Sequence, residues 1–306
     1  MLTLSVVDAD APASVEVTEA VRRALHDVEE ATGHPPLADP KLHVLHGHGV
    51  GVVVVAVDND APRDGGNGGD AVAGVGVGVL TDPGAAVWNL GDAVRNAADR
   101  LAVVRATADA ARERGARRLQ WWAFQAGGDD DALAAELGWS AWRDLVQVRR
   151  PLPHPEAAEL PPGIELRPFA SGTDDESWLE VNRLAFAGHP EQQVFSAADL
   201  RGRIAEPWFD ASDFLIAEDD AGIAGFCWVK IPAPSHGEIY VVGVHPRAQG
   251  LGLGRSLVLA GLDRMTTRGV PEVRLYVDGE NERAVALYRA LGFQRHHVDR
   301  AYATDV

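Results

Sequence analysis

The feature that most constrains the fold is a glycine-rich turn between two segments of different periodicity. Residues 238–244 predict a short strand, and residues 255–268 carry apolar side chains at helical spacing. Gly250, Gly252 and Gly254 lie between them. Glycine lets a backbone approach a ligand without interference from a Cβ atom, and free N–H groups in the first helical turn favour an anion. The turn therefore predicts a phosphate-binding loop.

The surroundings of this turn carry a family resemblance. Gln249, Gly252 and Gly254 follow the pattern of the acetyl-CoA pyrophosphate loop in the GCN5-related N-acetyltransferases, the GNAT family. Residues 275–293 resemble the same family's strand, its Asn-x-x-Ala helix and its Tyr-x-x-x-Gly-Phe ending. A Gly-x-Gly-x-Gly turn alone is also common loop punctuation, so the resemblance depends on both motifs in this order.

The resemblance implies acetyl-CoA as co-substrate and no metal ion. It places the cofactor on two segments, the strand end with its glycine loop and the start of the later helix. The residues so implied are Val242, Gly243, Val244, Gln249, Gly250, Leu251, Gly252, Leu253, Gly254, Arg255, Asn281, Glu282, Arg283, Ala284, Val285 and Ala286.

The order of predicted elements indicates an α/β (α+β) chain with two domains. The fold class implied is two tandem GNAT-type domains, each a mixed central sheet flanked by helices. Residues 151–162 are rich in proline and predict a stiff linker between domain 1–150 and domain 163–306. The predicted helices cover 15–31, 92–114, 130–137, 176–186, a start at 196, 255–268 and 283–291; the predicted strands cover 50–57, 72–80, 119–124, 144–150, 164–168, 214–217, 225–231, 238–244, 273–277 and about 297–302.

The two halves are also similar to each other. Arg114-Gly115 recurs as Arg268-Gly269, and Leu137-Gly138-Trp139 recurs as Leu291-Gly292-Phe293, both at a spacing of 154 residues. An equal spacing at two places indicates an internal duplication.

At that same spacing the first half lacks the residues of the cofactor motif. The glycine loop falls on residues 95–100, Asn281 falls on Gly127, and Tyr288 falls on Ala134. We therefore expect only the second half to bind the cofactor, and we expect residues 92–104 to continue as helix.

The second half resembles one group within the family more specifically. These are tandem GNAT enzymes that acetylate the cysteinyl amine of cysteinyl-glucosaminyl-inositol. The resemblance implies that Glu191, Lys230, Glu238 and Tyr276 contact that substrate, and that Asp39 does so from the first domain. Carboxylates accept hydroxyl and N–H donors and a lysine donates, which suits a polyol that carries an ammonium. The stretches that carry this resemblance are 181–192, 208–210, 225–230, 237–244 and 298–302.

The reaction predicts two catalytic side chains. An ammonium has no lone pair, so Glu238 is expected to accept a proton from the amine, directly or through water. Tyr288 is expected to protonate the departing thiolate, and the N–H groups of residues 242–244 to hold the acetyl carbonyl oxygen. Each of these residues also has a purely structural interpretation: Glu191 as a solvated acid in a loop, Tyr276 as a half-buried strand residue and Tyr288 as a packed aromatic.

Two other functions share the same motifs. A GNAT enzyme for another small amine or a peptide N-terminus has the loop without needing Asp39, Glu191 and Lys230 together. A non-enzymatic acyl-CoA sensor is the second alternative, since fold does not fix function. The presence of both Glu238 and Tyr288 argues against the sensor.

Net charge and composition exclude several classes of binding partner. A formal charge of −17 over 306 residues argues against nucleic acid and anionic membranes, and requires local donors such as Arg247 and Arg255 for a polyanionic cofactor. No signal-peptide layout or membrane-length apolar run occurs, which predicts a cytoplasmic protein, and we expect a monomer. The histidines lack zinc-site spacing, and Cys227 lies in an apolar run that predicts a buried side chain without chemistry.

Overall fold

The computed structural model describes residues 2–8, 15–32, 50–60, 72–187, 195–233 and 236–306, together with residues 37, 41 and 44. The chain forms two compact units, one of Met1–Leu145 with His297–Val306 and the other of Val146–His296. No helix in the described part is long and apolar enough to cross a membrane.

The first unit is a mixed sheet with helices. Its elements are β1 (Leu2–Asp8), α1 (Val15–Thr32), β2 (Gly51–Asp58), β3 (Val72–Asp82), β4 (Val87–Val94), α2 (Ala97–Glu113), β5 (Arg118–Ala123), α3 (Gly128–Glu136), the first part of β6 (Ser140–Pro151) and most of β12 (Gln294–Asp305). The strand order is β1-β2-β3-β4-β5-β12. Strands β1 to β4 are antiparallel neighbours, β4 and β5 are parallel, and β12 is antiparallel to β5.

The second unit repeats this plan. Its elements are the rest of β6, β7 (Glu165–Pro168), α4 (Asp175–Ala185), α5 (Ala197–Ile204), β8 (Phe214–Asp219), β9 (Gly222–Ala233), β10 (His236–Val244), α6 (Leu253–Thr267), β11 (Glu272–Asp278) and α7 (Glu282–Ala290). The strand order is β6-β11-β10-β9-β8-β7. Strands β7 to β10 are antiparallel neighbours, and β10 and β11 are parallel.

Two apolar clusters cover the faces of the second sheet. One contains Val229, Ile239 and side chains of α6, and the other contains Trp178 of α4 and Trp228 of β9. A bulge in β10, where the register to β9 shifts between Ile239 and Val241, changes which side chains face each cluster. Residues on both sides of this bulge line the site described below.

The helix predicted over 92–114 is wrong at its start. Strand β4 continues to Val94, and α2 begins at Ala97 behind Asn96, whose side chain accepts a hydrogen bond from the Ala98 N–H. Asp92 belongs to the strand because its carboxylate accepts from Trp121 Nε1 at 2.7 Å, a tertiary contact that helical spacing does not reveal. Strands β1 and β4 were not predicted.

The proline-rich segment packs against the second unit. The Leu152 N–H donates to the Pro271 carbonyl at 2.8 Å, and the Ser256 hydroxyl donates to the Glu159 carbonyl. Leu152 and Leu160 contact the apolar cluster around α6. The compact units divide inside β6 and β12 rather than at this segment, so the domain bounds 1–150 and 163–306 stay a prediction.

Candidate active site

Strands β10 and β11 part along their length. They pair at Gly237–Val273 and Glu238–Arg274, and no later pair between them is recorded in the described chain. His245 donates to the Ala224 carbonyl on the β9 side at 2.9 Å. Bonding directions alternate along an antiparallel pair, so the N–H groups of Val244 and Val242 point away from β9, toward the gap.

The loop after β10 has the backbone conformation that its glycines permit. A 3-10 turn, Pro246–Ala248, follows the strand, and the His245 side chain accepts from the Arg247 N–H at 3.0 Å. Gly250 and Gly252 have φ angles of +82° and +83°, in the left-handed region that other residues rarely adopt. Gly252 is also the N-cap of α6. These two glycines therefore set the path of the loop.

Gly254 has a different role. Its φ is not positive, and a Cβ atom built on it would lie 3.6 Å from Val244 Cγ2, an ordinary contact distance. Lack of a side chain at this position keeps the first turn of α6 open toward the gap.

A cavity of about 450 Å³ lies between the loop, β10 and α7. Its lining residues are Ala185, Phe186, Val242, Gly243, Val244, Ala248, Gln249, Gly250, Gly252, Leu253, Gly254, Arg255, Val258, Asn281, Arg283, Ala284, Leu287 and Tyr288. Twelve of the sixteen residues predicted to bind the cofactor are among them. The structure therefore brings the two predicted segments together, and their role in binding stays a prediction.

The cavity fits a polyanionic acyl-CoA. In the first turn of α6 the Arg255 N–H donates to the Gly252 carbonyl at 3.0 Å, whereas the N–H groups of Leu253 and Gly254, both in the cavity lining, have no acceptor among the described residues. Arg255 and Arg283 add two positive charges to the lining. Asn281 caps α7 by accepting from the Ala284 N–H at 3.1 Å, so its side chain has a structural task beside its place in the lining.

Four predicted cofactor residues are not in the lining. Leu251 is 61% exposed, and Glu282, Val285 and Ala286 are also absent from the wall. Arg247 forms an ion pair with Asp219 and donates to the Gly222 carbonyl at 3.0 Å. It therefore holds the β8–β9 turn, so of the three arginines expected to serve the cofactor, Arg255 and Arg283 line the cavity and Arg247 does not.

The sequence did not predict the apolar part of the wall. Ala185, Phe186, Ala248, Val258 and Leu287 line the cavity from α4, the 3-10 turn, α6 and α7. Their helical spacing gave a signal for burial, but burial against a core and burial against a ligand produce the same pattern.

Three predicted substrate residues share one face of the sheet. Glu238 of β10 is opposite Lys230 of β9 and opposite Arg274 of β11. Tyr276 is two residues beyond Arg274 and therefore on the same face. The structure brings Lys230, Glu238 and Tyr276 together, and substrate contact by them stays a prediction.

Aromatic rings hold the ammonium of Lys230. Its Nζ atom lies 4.9 Å from the ring centroid of Trp208 and 5.6 Å from that of Tyr240. A cation over an aromatic face gains electrostatic energy without a carboxylate partner. No ion pair of Lys230 occurs within 4 Å among the described residues, so its N–H donors remain available.

Glu238 and Tyr276 have protein partners of their own. Glu238 Oε2 lies 3.0 Å from Arg274 Nε, and the Glu238 side chain is 13% exposed. The Tyr276 hydroxyl accepts from Gln147 Nε2 at 2.6 Å. Sequence reasoning missed Arg274 and Gln147, because only the strand register shows what lies beside Glu238 and Tyr276.

Tyr288 lies in the cavity wall and is almost completely buried, with its ring 5.7 Å from that of Phe293. Burial, with a smaller effect from Cys227, raises the pKa of Tyr288 well above its ordinary value. The hydroxyl is therefore protonated throughout the neutral range, as a proton donor requires.

Cys227 is fully buried, and burial raises the pKa of its thiol to about 12. The expectation of a buried cysteine is confirmed. Asp39 and Glu191 lie outside the described residues, so their predicted contacts are not addressed by the structure.

The site combines a glycine loop at a helix N-terminus with a strand that parts from its parallel neighbour. Residues 178–293 match the family described as "Acetyltransferase (GNAT) family". A GCN5-related N-acetyltransferase from Sphaerobacter thermophilus superposes with a TM-score of 0.71 over 99% of this chain and 95% of its own, at 22% identity. A tandem GNAT protein from the clavulanic acid biosynthesis pathway gives 0.70 over 100% and 98%, at 19% identity. The predicted fold class, two tandem GNAT-type domains, is confirmed.

Curated relatives are closer in sequence. The mycothiol acetyltransferase of Thermomonospora curvata is 48% identical over 65% of this chain and 67% of its own length. That of Salinispora arenicola is 46% identical over 70% and 72%, and that of Streptomyces griseus 46% over 62% of each. The chain belongs to the GNAT acetyltransferases and, within them, to the family of these relatives. The match spans about two thirds of the relatives' length.

Proposed function

We propose that this chain transfers the acetyl group of acetyl-CoA to the cysteinyl amine of cysteinyl-glucosaminyl-inositol, the last step of mycothiol biosynthesis. The observation that carries the proposal is that one strand, β10, serves both parts of the site. Its end lines the cavity with Val242 and Val244, and its middle presents Glu238 beside Lys230 and Tyr276. Relatives at 46–48% identity are named mycothiol acetyltransferase, which supports this choice of substrate.

Different groups of the chain bind the phosphates and the acetyl carbonyl of the cofactor. When bound, acetyl-CoA supplies an activated acetyl thioester. The α6 N-terminus, Arg255 and Arg283 hold its phosphates. The N–H groups of Val242 and Val244 donate to the acetyl carbonyl oxygen from the gap beside β10. Gly243 is excluded from that task because its N–H points toward β9.

Proton transfer requires two more side chains. The carboxylate of Glu238 accepts the proton that the amine must lose, directly or through one water. Tyr288, protonated and in the cavity wall, supplies the proton that the leaving thiolate needs. Neither step needs a covalent enzyme intermediate or a metal ion.

The polar face fits a polyol amine. Lys230 presents an ammonium that has no carboxylate partner in the described part of the chain, and Tyr276 presents a hydroxyl beside Gln147. These groups donate to and accept from sugar and inositol hydroxyls. Asp39 and Glu191 complete the predicted contacts, and we also propose a monomer in the cytoplasm without nucleic-acid or membrane partners.

The test is a competition among amines. Purified protein with acetyl-CoA is offered cysteinyl-glucosaminyl-inositol, free cysteine and a short peptide with a free N-terminus. We expect kcat/KM for the first to exceed the others by well over about tenfold, equivalent to about 1.4 kcal/mol in the transition state. Equal values for all three would favour a general small-amine acetyltransferase, and binding of acetyl-CoA without transfer to any amine would favour a sensor.

A further inference from the structure

Two cations flank Glu238 in the sheet, and only one of them bonds to it. Lys230 of β9 and Arg274 of β11 are both opposite Glu238 in register. Arg274 Nε lies 3.0 Å from Glu238 Oε2. The Lys230 ammonium instead lies over the rings of Trp208 and Tyr240.

Glu238 is the carboxylate with which Arg274 pairs, because the other nearby carboxylate on this face has a different partner. Glu272, two residues earlier on the same face, lies 3.3 Å from Arg149 of β6. Arg149 also donates to Gln147 Oε1 at 2.6 Å, and Gln147 donates to the Tyr276 hydroxyl. A row of bonds across β6 and β11 therefore fixes the groups on both sides of Arg274, and Arg274 extends that row to β10.

The two oxygens of Glu238 have different surroundings. Oε2 accepts from Arg274, whereas Oε1 has no hydrogen-bond or ion-pair partner among the described residues. The single bond from Arg274 Nε to Oε2 restrains the position of that oxygen, and the other oxygen is left on the opposite side of the carboxylate carbon. With 13% of the side chain exposed, Oε1 is the oxygen that remains to meet a ligand.

We infer that Arg274 is a positioning residue for acetyl transfer: it anchors Oε2 of Glu238 and so directs Oε1 at the acceptor amine. The inference rests on the proposed function with Glu238 as proton acceptor. In that step the ammonium gives one proton to Oε1, the freed nitrogen lone pair forms the bond to the acetyl carbon, the carbon–sulfur bond breaks, and the thiolate takes a proton from Tyr288. The second proton on nitrogen leaves to water, which reprotonates Tyr288, and Glu238 releases its proton to solvent. Arg274 keeps its own protons throughout.

Other groups on this face set the charge around Glu238. They are Lys230 on β9, His236 and Tyr240 on β10, Glu272, Arg274 and Tyr276 on β11, with Arg149 on β6 and Arg203 on α5 farther out. Burial, followed by the charges of Arg274 and Arg149, lowers the pKa of His236. His236 is therefore neutral at neutral pH, and Arg274 is the cation in direct contact with Glu238.

The experiment is a double-mutant cycle in the full-length protein, with acetyl-CoA and the amine that the wild type acetylates best. The variants are Arg274→Met, Glu238→Gln and the two combined, with Arg274→Lys as the conservative replacement. Arg268→Met is the matched control, because this substitution also removes an arginine with a 3.0 Å ion pair, to Asp210, outside the site. The readouts are kcat, the KM of the amine and the Kd of acetyl-CoA.

We expect Arg274→Met to lower kcat by about tenfold to a hundredfold without changing the Kd of acetyl-CoA. Arg274→Lys should restore only part of kcat, since an ammonium keeps the charge without the planar group. Arg268→Met should change neither quantity.

The cycle decides whether Arg274 acts through Glu238. In the Glu238→Gln background we expect Arg274→Met to change kcat by less than about twofold. An equal loss in both backgrounds, or a loss confined to acetyl-CoA affinity, would overturn the inference. If Arg274→Met does not fold, the same cycle with Arg274→Lys gives the decision. Failure of the proposed substrate shows separately, as absence of transfer to the pseudodisaccharide amine by the wild type.

Discussion

The segments after β4 and β10 hold equivalent places in the two halves of the chain, and they differ in length and in content. Two residues, 95 and 96, separate β4 from α2, whereas eight residues, 245–252, separate β10 from α6. The short turn is closed by Asn96, whose side chain accepts from the Ala98 N–H. The long one is shaped by two glycines in the left-handed region and leaves the N–H groups of its helix without side-chain caps.

The two halves also differ in the charged residues near these segments. In the first half Arg100 forms ion pairs with the nearly buried carboxylates of Asp92 and Asp130. At the repeat spacing of 154, Arg100 and Asp130 correspond to Gly254 and Ala284, and both of these line the cavity. An ion-pair cluster therefore occupies the part of the first half that corresponds to cavity wall in the second. We propose that this part of the first half has a structural role rather than a ligand-binding one.

The largest difference between the two segments in cofactor binding is expected to depend on Gly252. The change Gly252→Val places a β-branched residue at a φ of +83°, which costs about 1–3 kcal/mol and distorts the loop. We expect acetyl-CoA binding to fall by more than about a hundredfold, equivalent to roughly 2.7 kcal/mol or more. Isothermal titration of acetyl-CoA into the purified variant measures this.

Gly269→Val is the matched control, because Gly269 has a φ of +74° after α6, has an open surrounding space and lies outside the cavity wall. It should lose similar stability and keep its affinity. Gly254→Ala should cost less than about fivefold in affinity, since its Cβ meets Val244 at contact distance. Equal affinity losses in all three variants would mean that fold stability, rather than loop shape, controls binding.

The second test concerns Tyr288, where the first half has Ala134. We expect Tyr288→Phe to lower kcat by about a hundredfold with little change in the Kd of acetyl-CoA, because the ring is kept and the proton is lost. The raised pKa of Tyr288 also predicts a pH dependence. Its hydroxyl stays protonated above the ordinary value near 10, so ionisation of Tyr288 should not reduce the wild-type kcat below about pH 10.

Steady-state kinetics across that pH range, with single-turnover rates for the variant, check both statements. Burial of the neutral form also means that the stability linked to Tyr288 is present below about pH 10 and is lost as the pH rises toward the raised pKa. A Tyr288→Phe variant with the wild-type single-turnover rate would leave Tyr288 as a packed aromatic only.

The smallest effect on binding is expected in the first half. Arg100→Met leaves two carboxylates without their cation, with side-chain exposures of 3% and 9%, so we expect unfolding free energy to fall by about 3 kcal/mol. Titration with CoA should give one site per chain in both wild type and variant, with the same Kd. Arg105→Met, which breaks an exposed 3.5 Å pair with Glu136, is the control and should cost less than about 1 kcal/mol. A second site that disappears in Arg100→Met would show that the first half binds CoA after all.

Much of the second half was predictable because its signals are local. The Ser196 capping box, the Asn281 cap and the helix end before Gly269 all depend on residues within a few positions, and the structure has each of them. In the first half the same reasoning placed Asp92 in a helix. Its side chain is held by Trp121, 29 residues away, and no local pattern reports such a contact.

The sequence by itself determined the family, the glycine loop and the two motif segments that the cavity brings together, because backbone conformation and short spacings are written in neighbouring residues. It did not determine the partners of the predicted catalytic face. That Glu238 meets Arg274 rather than Lys230, and that Arg247 serves a turn rather than the cofactor, follows from strand register and side-chain packing. The contacts of Arg247 with Asp219 and of Arg274 with Glu238 join residues 28 and 36 positions apart, and only the tertiary structure chooses among the partners that the sequence offers.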